Sequence, residues 1–304
     1  MKYTKPALSF EQQAQLLVDR GLIVREKAEL VRCLSIVNYY RLSAYWYTFK
    51  EIDPLNGEER FAPNTTFDAI WRRYTFDRRL RLLIMDALDR VEVAILRTRL
   101  VEQFTLLHGP FGYCDPNKFS PKFPRAEYKR LIKEIEDSVR RSREEFVSRF
   151  QRKYTSESYL PLWMAVEVMT FGHLFTLYRN LNRAEQITLA SVFDLYPPVL
   201  ESWLHTLNFI RNACAHHSRL WNRILPIRPQ LPDKRHHFEW YSPVKFDNLH
   251  IFAVLTLLRY LLRYIDAQSD WQAQLEALLK QYPDIPLSWM GFPPNWQNCP
   301  VWKA

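Results

Sequence analysis

The stretch from Val199 to Arg223 is where residue types and spacing come closest to a reaction. Arg211 is followed at once by Asn212, and His216 and His217 come shortly after. Histidine titrates near neutral pH and can give or take a proton. Arginine keeps its charge and presents a fork of donors suited to phosphate oxygens. An Arg, four intervening residues and a His is a weak pattern by itself, so its setting decides its weight.

That setting is an amphipathic helix opened by Pro197-Pro198 and read as far as Arg223. Leu200, Trp203, Leu207, Ile210, Cys214 and Trp221 share one stripe at about 100° per residue, and the stripe must face a core. His217 lies close to it and is expected to be partly buried and hydrogen-bonded, so its loss should lower stability. His216 projects to the opposite side, where packing gives it no task. Arg211 sits on the flank.

Other clusters are weaker. His216-His217 and His236-His237, with Asp233 and Glu239, suggest metal, but adjacent histidines diverge on a helix and no HExxH spacing occurs, so no metal site or cofactor is expected. Asp86, Asp89 and Glu92 suggest a carboxylate nuclease, but acids at this spacing among arginines are expected to be ion-paired. Tyr39, Tyr40, Tyr45 and Trp46 could stack on bases; the structural reading is core and interface aromatics.

The elements that carry these residues are helical nearly throughout, and no convincing alternating strand or internal repeat is found. Ser9 with Gln12 forms a capping box for a first helix that Gly21 ends. A second helix is expected from Glu26 to Tyr47, then a loop marked by Pro54, Asn56, Gly57, Pro63 and Asn64. One long helix or two consecutive ones run from Thr66 to about Phe104. Their core face is Leu80, Leu83, Ile84, Ala87, Leu88, Val91, Ile95 and Leu96, and Asp77, Arg78 and Arg79 belong to the solvated face. A charged helix from Arg125 to about Tyr154 is either a solvated face or a phosphate-tracking arm. Pro161 opens an apolar helix through Phe175. After Val199–Arg223 come a Pro-rich loop, a leucine-rich helix from about Asn248 to Asp266, a short helix from Trp271 to Gln281, and a tail rich in Pro and Trp.

The expected fold is all-α, as one domain over 1–304. It comprises an N-terminal helical extension over about 1–60, a helical core over about 66–281 and a tail over 282–304. With 47% hydrophobic and 25% charged residues the chain is globular, not disordered. Its 6 glycines include no GxGxxG or GxxxxGK[ST], which argues against glycine-cradled nucleotide folds. The net charge of +9 favours an acidic partner such as nucleic acid. Scattered cysteines, no apolar leader and no span-length apolar run fit a cytoplasmic protein without a membrane partner.

The Arg211–His216 pattern in this all-helical, Gly-poor setting resembles the Arg-x4-6-His signature of the HEPN superfamily. Further segments are similar to hallmarks of its Abi-like (AbiD/AbiF) abortive-infection family: Asn38–Trp46, Tyr74–Arg81, Leu162–Gly172, Arg211–Asn222 and Met290–Trp296. They run in order along almost the whole chain. The resemblance implies a HEPN-like helical bundle and a metal-independent ribonuclease of anti-phage defence. RNA supplies its own nucleophile, the 2′-hydroxyl. His216 would then do acid/base work, Arg211 would stabilise charge, and Asn212 would orient the phosphate or simply bond the backbone. His217, Arg219, Asn222, Asn38, Tyr39 and Arg41 would support the site or contact RNA.

Five residues on a straight helix place Arg211 and His216 about 140° apart, so the two cannot converge on one phosphate. The chain holds one motif, and a homodimer would complete the site. RNA is the expected partner, as substrate and as an associated structured molecule. The alternatives are a non-catalytic HEPN module of a toxin–antitoxin-like system that holds RNA or a partner, and a helical DNA-binding protein. The intact Arg211/His216 pair favours the nuclease.

Overall fold

The computed structural model describes Lys2, residues 6–52 and residues 57–303. Helices dominate it, and among the described residues there is one two-stranded sheet, so the all-α expectation holds. The chain divides into two compact units, Met1–Arg81 with Ala277–Ile285, and Leu82–Glu276 with Pro286–Ala304. The first reaches past residue 60 because the start of the next helix packs with the N-terminal helices.

In the first unit, α1 (Phe10–Asp19) starts at the expected capping box: the Gln12 N–H donates to Ser9 Oγ, and the Ser9 N–H donates to Gln12 Oε1. Gly21, at φ 91°, turns the chain after α1. The single helix expected over 26–47 is two, α2 (Lys27–Val37) and α3 (Tyr39–Trp46). Asn38 separates them at φ 60°, where Asn is better tolerated than most residues, and its side chain caps α3 by accepting from the Tyr40 N–H at 2.8 Å. The stretch read as a loop holds a hairpin, β1 (Lys50–Ile52) antiparallel to β2 (Glu59–Phe61), with Lys50 opposite Phe61. Three-residue strands are too short to show alternation. Pro54 and Asn56 lie outside the described residues.

The next helix, α4 (Phe67–Val91), corrects the reading of Asp77 as solvated. Asp77 is fully buried and ion-paired with Arg81, and the Tyr45 hydroxyl donates to Asp77 Oδ2 at 2.6 Å. A carboxylate leaves water only when such donors replace it. This cluster ties α3 to α4.

The second unit begins within α4. A π-helical segment, Glu92–Arg99, and α5 (Leu100–His108) continue it. The predicted core face of this rod is buried throughout. The Arg97 guanidinium grips the carbonyls of Val166 and Met169 and pairs with Glu92. The charged stretch 125–154 is two helices, α6 (Arg125–Arg141) and α7 (Glu145–Lys153). Ser142 is extended and its hydroxyl accepts from the Glu144 N–H at 3.2 Å, a local turn that competes with the helix. The helix expected after Pro161 is also broken, into α8 (Leu162–Ala165) and α9 (Phe171–Arg179). Thr170 caps α9 in a box with His173.

Then follow α10 (Arg183–Ser191), α11 (Pro197–Ala215), α12 (Ile251–Ile265) and α13 (Trp271–Gln281). Pro197 sits in the first turn of α11, where its missing N–H costs nothing. The first two turns of α12 are buried all round and form the centre of this unit: every residue from Ile251 to Leu258 is buried. No helix among the described residues is long and apolar enough to cross a membrane.

Candidate active site

The packing stripe of α11 is as expected, with Leu200, Trp203, Leu207, Ile210 and Cys214 buried. The helix, however, stops at Ala215 and does not run on to Arg223. His216 is its cap, still donating from its N–H to the Asn212 carbonyl at 2.9 Å. His217 then adopts φ 57°. The His217 N–H donates to the Cys214 carbonyl at 2.9 Å and the Ser218 N–H to the Ala213 carbonyl at 2.8 Å. These two bonds define a Schellman turn, normally closed by glycine. His217 is exposed, not partly buried, because this left-handed step swings it off the apolar stripe. Leu220 and Trp221 are buried directly afterwards, and Trp221 packs on Trp289 at 5.5 Å, fixing the chain that leaves the turn.

The three central candidates sit on the open side of this helix end. His216 and Asn212 are exposed and Arg211 is half-buried. Arg211 Nη1 lies 3.4 Å from Asn212 Oδ1, a long contact between neighbours. No carboxylate among the described residues pairs with Arg211. Its charge is therefore not already neutralised by a protein anion. Because His216 keeps its α-helical backbone bond, its Cα remains on the helix cylinder. It lies about 7.5 Å along the axis from Arg211 and about 140° around it. One helix thus presents a free cation and an imidazole on diverging faces.

The supporting residues divide between the units. His217, Arg219 and Asn222 belong to the Schellman turn and its exit, and Arg219 and Asn222 are half-buried there. Asn38, Tyr39 and Arg41 belong to the first unit. Asn38 spends its side-chain carbonyl on the α3 cap, and the Tyr39 hydroxyl accepts from Arg20 Nη1 at 3.3 Å. Of the four aromatics in this segment, Tyr45 and Trp46 are core, as expected, whereas Tyr40 is 86% exposed. Among the described residues no three His, Cys, Asp or Glu side chains are placed to hold a metal ion. His237 instead bonds Glu239, Nδ1 to Oε1 at 3.1 Å.

Sequence reasoning missed a polar stripe on α11. Glu201, His205, Asn208, Asn212 and His216 recur every three or four residues and so share the face opposite the core. Its signal is the three-and-four spacing of polar residues along one helix face. Beside the stripe, Gly172 at the start of α9 lies next to Asn208, where an added Cβ would make ordinary contact with its side chain at 3.9 Å. The Leu162–Gly172 segment thus meets α11 through this contact.

A family model described as Abi-like protein matches residues 32–222, well over half of the chain. No curated protein and no solved structure gives a match. The matched span takes in Asn38–Trp46, Tyr74–Arg81, Leu162–Gly172 and Arg211–Asn222, whereas Met290–Trp296 falls beyond it. In the first unit two of these segments meet, where Tyr45 bonds Asp77; in the second, Gly172 lies beside Asn208, which precedes Arg211–Asn222 on α11. The chain belongs to the Abi-like protein family.

Proposed function

We propose that the protein is a metal-independent endoribonuclease of abortive infection, the defence in which an infected cell halts its own growth. The observation that carries this reading is the end of α11. There an exposed imidazole, and an arginine with no carboxylate partner among the described residues, sit beside a helix end closed by a defined capping turn. His216 removes the 2′-hydroxyl proton or protonates the leaving 5′-oxygen. Arg211 stabilises the charge gathered on the phosphorane-like transition state. Asn212, within reach of the Arg211 guanidinium, orients it. The products are a 2′,3′-cyclic phosphate and a 5′-hydroxyl, and the reaction needs no divalent ion. The HEPN-type pairing of two motifs answers the divergence of Arg211 and His216: a twofold dimer sets each chain's α11 end opposite its copy, giving two His and two Arg along one phosphate path.

Purified protein is incubated in EDTA with total RNA and with a DNA control, alongside His216→Ala and Arg211→Ala. Both variants are expected to lose cleavage and growth arrest. Their melting curves should stay within about 0.5 kcal/mol of the parent's, since neither residue is core. Mixing the two variants should give activity different from either alone if the site is composite. A fully active His216→Ala protein, or cutting restored only by magnesium or manganese, would remove this assignment, and a parent protein that binds RNA without cutting it would favour the non-catalytic RNA-binding module.

A further inference from the structure

The polar stripe of α11 leads away from Arg211 and His216 into a cleft of about 310 Å³ lined by Phe175, Arg179, Pro198, Glu201, Ser202 and His205. That volume is within the range of small-molecule sites. The chemistry assigned to His216 uses none of these residues. Three features make the cleft more than a surface dent. The His205 imidazole lies parallel on the Phe175 ring, with centroids 5.3 Å apart and planes 5° apart. Phe175 is buried and His205 is exposed, so the outer face of the imidazole remains open to a further flat ring. The Glu201 carboxylate is half-buried, and no described residue donates a hydrogen bond to it. Burial accordingly pushes its pKa up, against the pull of Arg179, Arg183 and His205. Arg179 is held by Glu127 at the rim.

We propose that this cleft reads one guanine of a single-stranded RNA. The base continues the Phe175–His205 stack, as unpaired bases do on aromatic rings. A carboxylate short of donors selects among the bases. Only guanine presents two N–H donors side by side on its pairing edge, N1–H and the N2 amine, matching the two carboxylate oxygens. Arg179 provides donors for the guanine O6, an acceptor. His205 and His216 are eleven residues apart, which is about 16 Å along α11 and within about 20° of the same face. A few nucleotides of unpaired strand cover that distance, so the guanine would lie a short, fixed interval from the scissile phosphate. That last step rests on the nuclease reading above, whereas the guanine preference does not.

The test is fluorescence anisotropy with full-length His216→Ala protein in EDTA. The ligands are a ten-nucleotide uridine RNA, the same RNA with one central guanosine, and the same RNA with inosine there, which keeps N1–H and lacks the amine. We expect the guanosine RNA to bind about tenfold tighter than the uridine RNA, with inosine between them. Glu201→Gln should erase the difference. His205→Ala should weaken the guanosine RNA, and His205→Phe should restore it. Equal affinity for all three RNAs, or a guanine preference surviving in Glu201→Gln, would overturn the proposal. So would guanosine monophosphate competing as well as the guanosine RNA binds, which would make the cleft a free-nucleotide site. If the nuclease reading fails, the parent protein leaves RNA uncut while these affinities still differ.

Discussion

Replacing Arg81 by methionine takes an ion-pair partner from a carboxylate in the protein interior, and the structure lets the damage be sized. The Asp77 side chain is 0% exposed and that of Arg81 6%, so neither charge can fall back on water. The Tyr45 hydroxyl donates to Asp77 and accepts from Arg81 Nη1 at 3.2 Å, and burial and the Asp77 charge push its own pKa well up, so it stays a donor. Removing one member of a buried pair costs about 3–5 kcal/mol, because the survivor keeps its desolvation without its counter-charge. Melting entropy runs at about 2.1 cal/mol/K per residue. If the first unit, about 90 residues, melts by itself, the loss lowers its Tm by about 16–26 °C. If all 304 residues melt together, the same loss spreads to about 5–8 °C. Circular dichroism melts and urea titrations of Arg81→Met against the parent measure both quantities. A triple variant, Tyr45→Phe, Asp77→Leu and Arg81→Met, should recover most of the loss, since replacing a buried ion pair by apolar residues of similar volume is often neutral or stabilising. A cost under about 1 kcal/mol for Arg81→Met, the range of exposed ion pairs, would refute the reasoning.

At position 217 glycine should be more stable than alanine by about 1 kcal/mol, the reverse of their usual order, because φ 57° suits glycine; comparing these two variants in urea cancels whatever the imidazole contributes. Gly291→Ala should cost about 2 kcal/mol or more, since φ 82° is unfavourable for alanine and its Cβ would come within 2.6 Å of the His250 Cβ; a neutral urea midpoint would contradict this. The hydrogen bonds from Arg72 to Asp284, at 3.1 Å, hold that carboxyl below its usual range. The stabilisation is therefore complete above the unfolded value near pH 4 and is lost as pH falls through the folded one. Because both side chains are 43% exposed, the effect is under about 1 kcal/mol, and Asp284→Asn should flatten the acid side of a stability–pH curve by that amount.

Periodicity located the helices and their buried faces, since a continuous apolar stripe has only one way to satisfy itself. Leu80 to Leu96 and Ile251 to Leu258 could be read this way from the sequence. The interruptions could not. Asn38, Ser142 and Thr170 each break a helix with a side chain that bonds the nearby backbone, and all three are polar residues a solvated helix face would also accept. The end of α11 failed for the same reason. A Schellman turn is announced by glycine, and here a histidine occupies its left-handed position. Asp77 misled because its neighbours Arg78 and Arg79 do make an exposed charged face; only Tyr45, far off in sequence, reveals the buried partner. Of the site, the Arg–His pair was legible because it is local. The Phe175–His205 cleft was not, since α9 and α11 meet only in three dimensions.

The wider coil at Glu92–Arg99 has a consequence for chain length. Buried Val91, Leu96 and Val101 recur every five residues, the interval of i→i+5 bonding, and the Leu100 N–H reaches back to the Ile95 carbonyl. Elsewhere in this rod, adding or removing one residue would rotate everything downstream by about 100° and turn the buried face outward. Within this segment the slack is already built in. One residue lost here tightens the coil toward the ordinary α repeat, and one gained can be taken up as a further loose turn. The stretch behaves as an expansion joint: the place where lineages of this chain can differ in length by a residue while Phe104 still reaches the core.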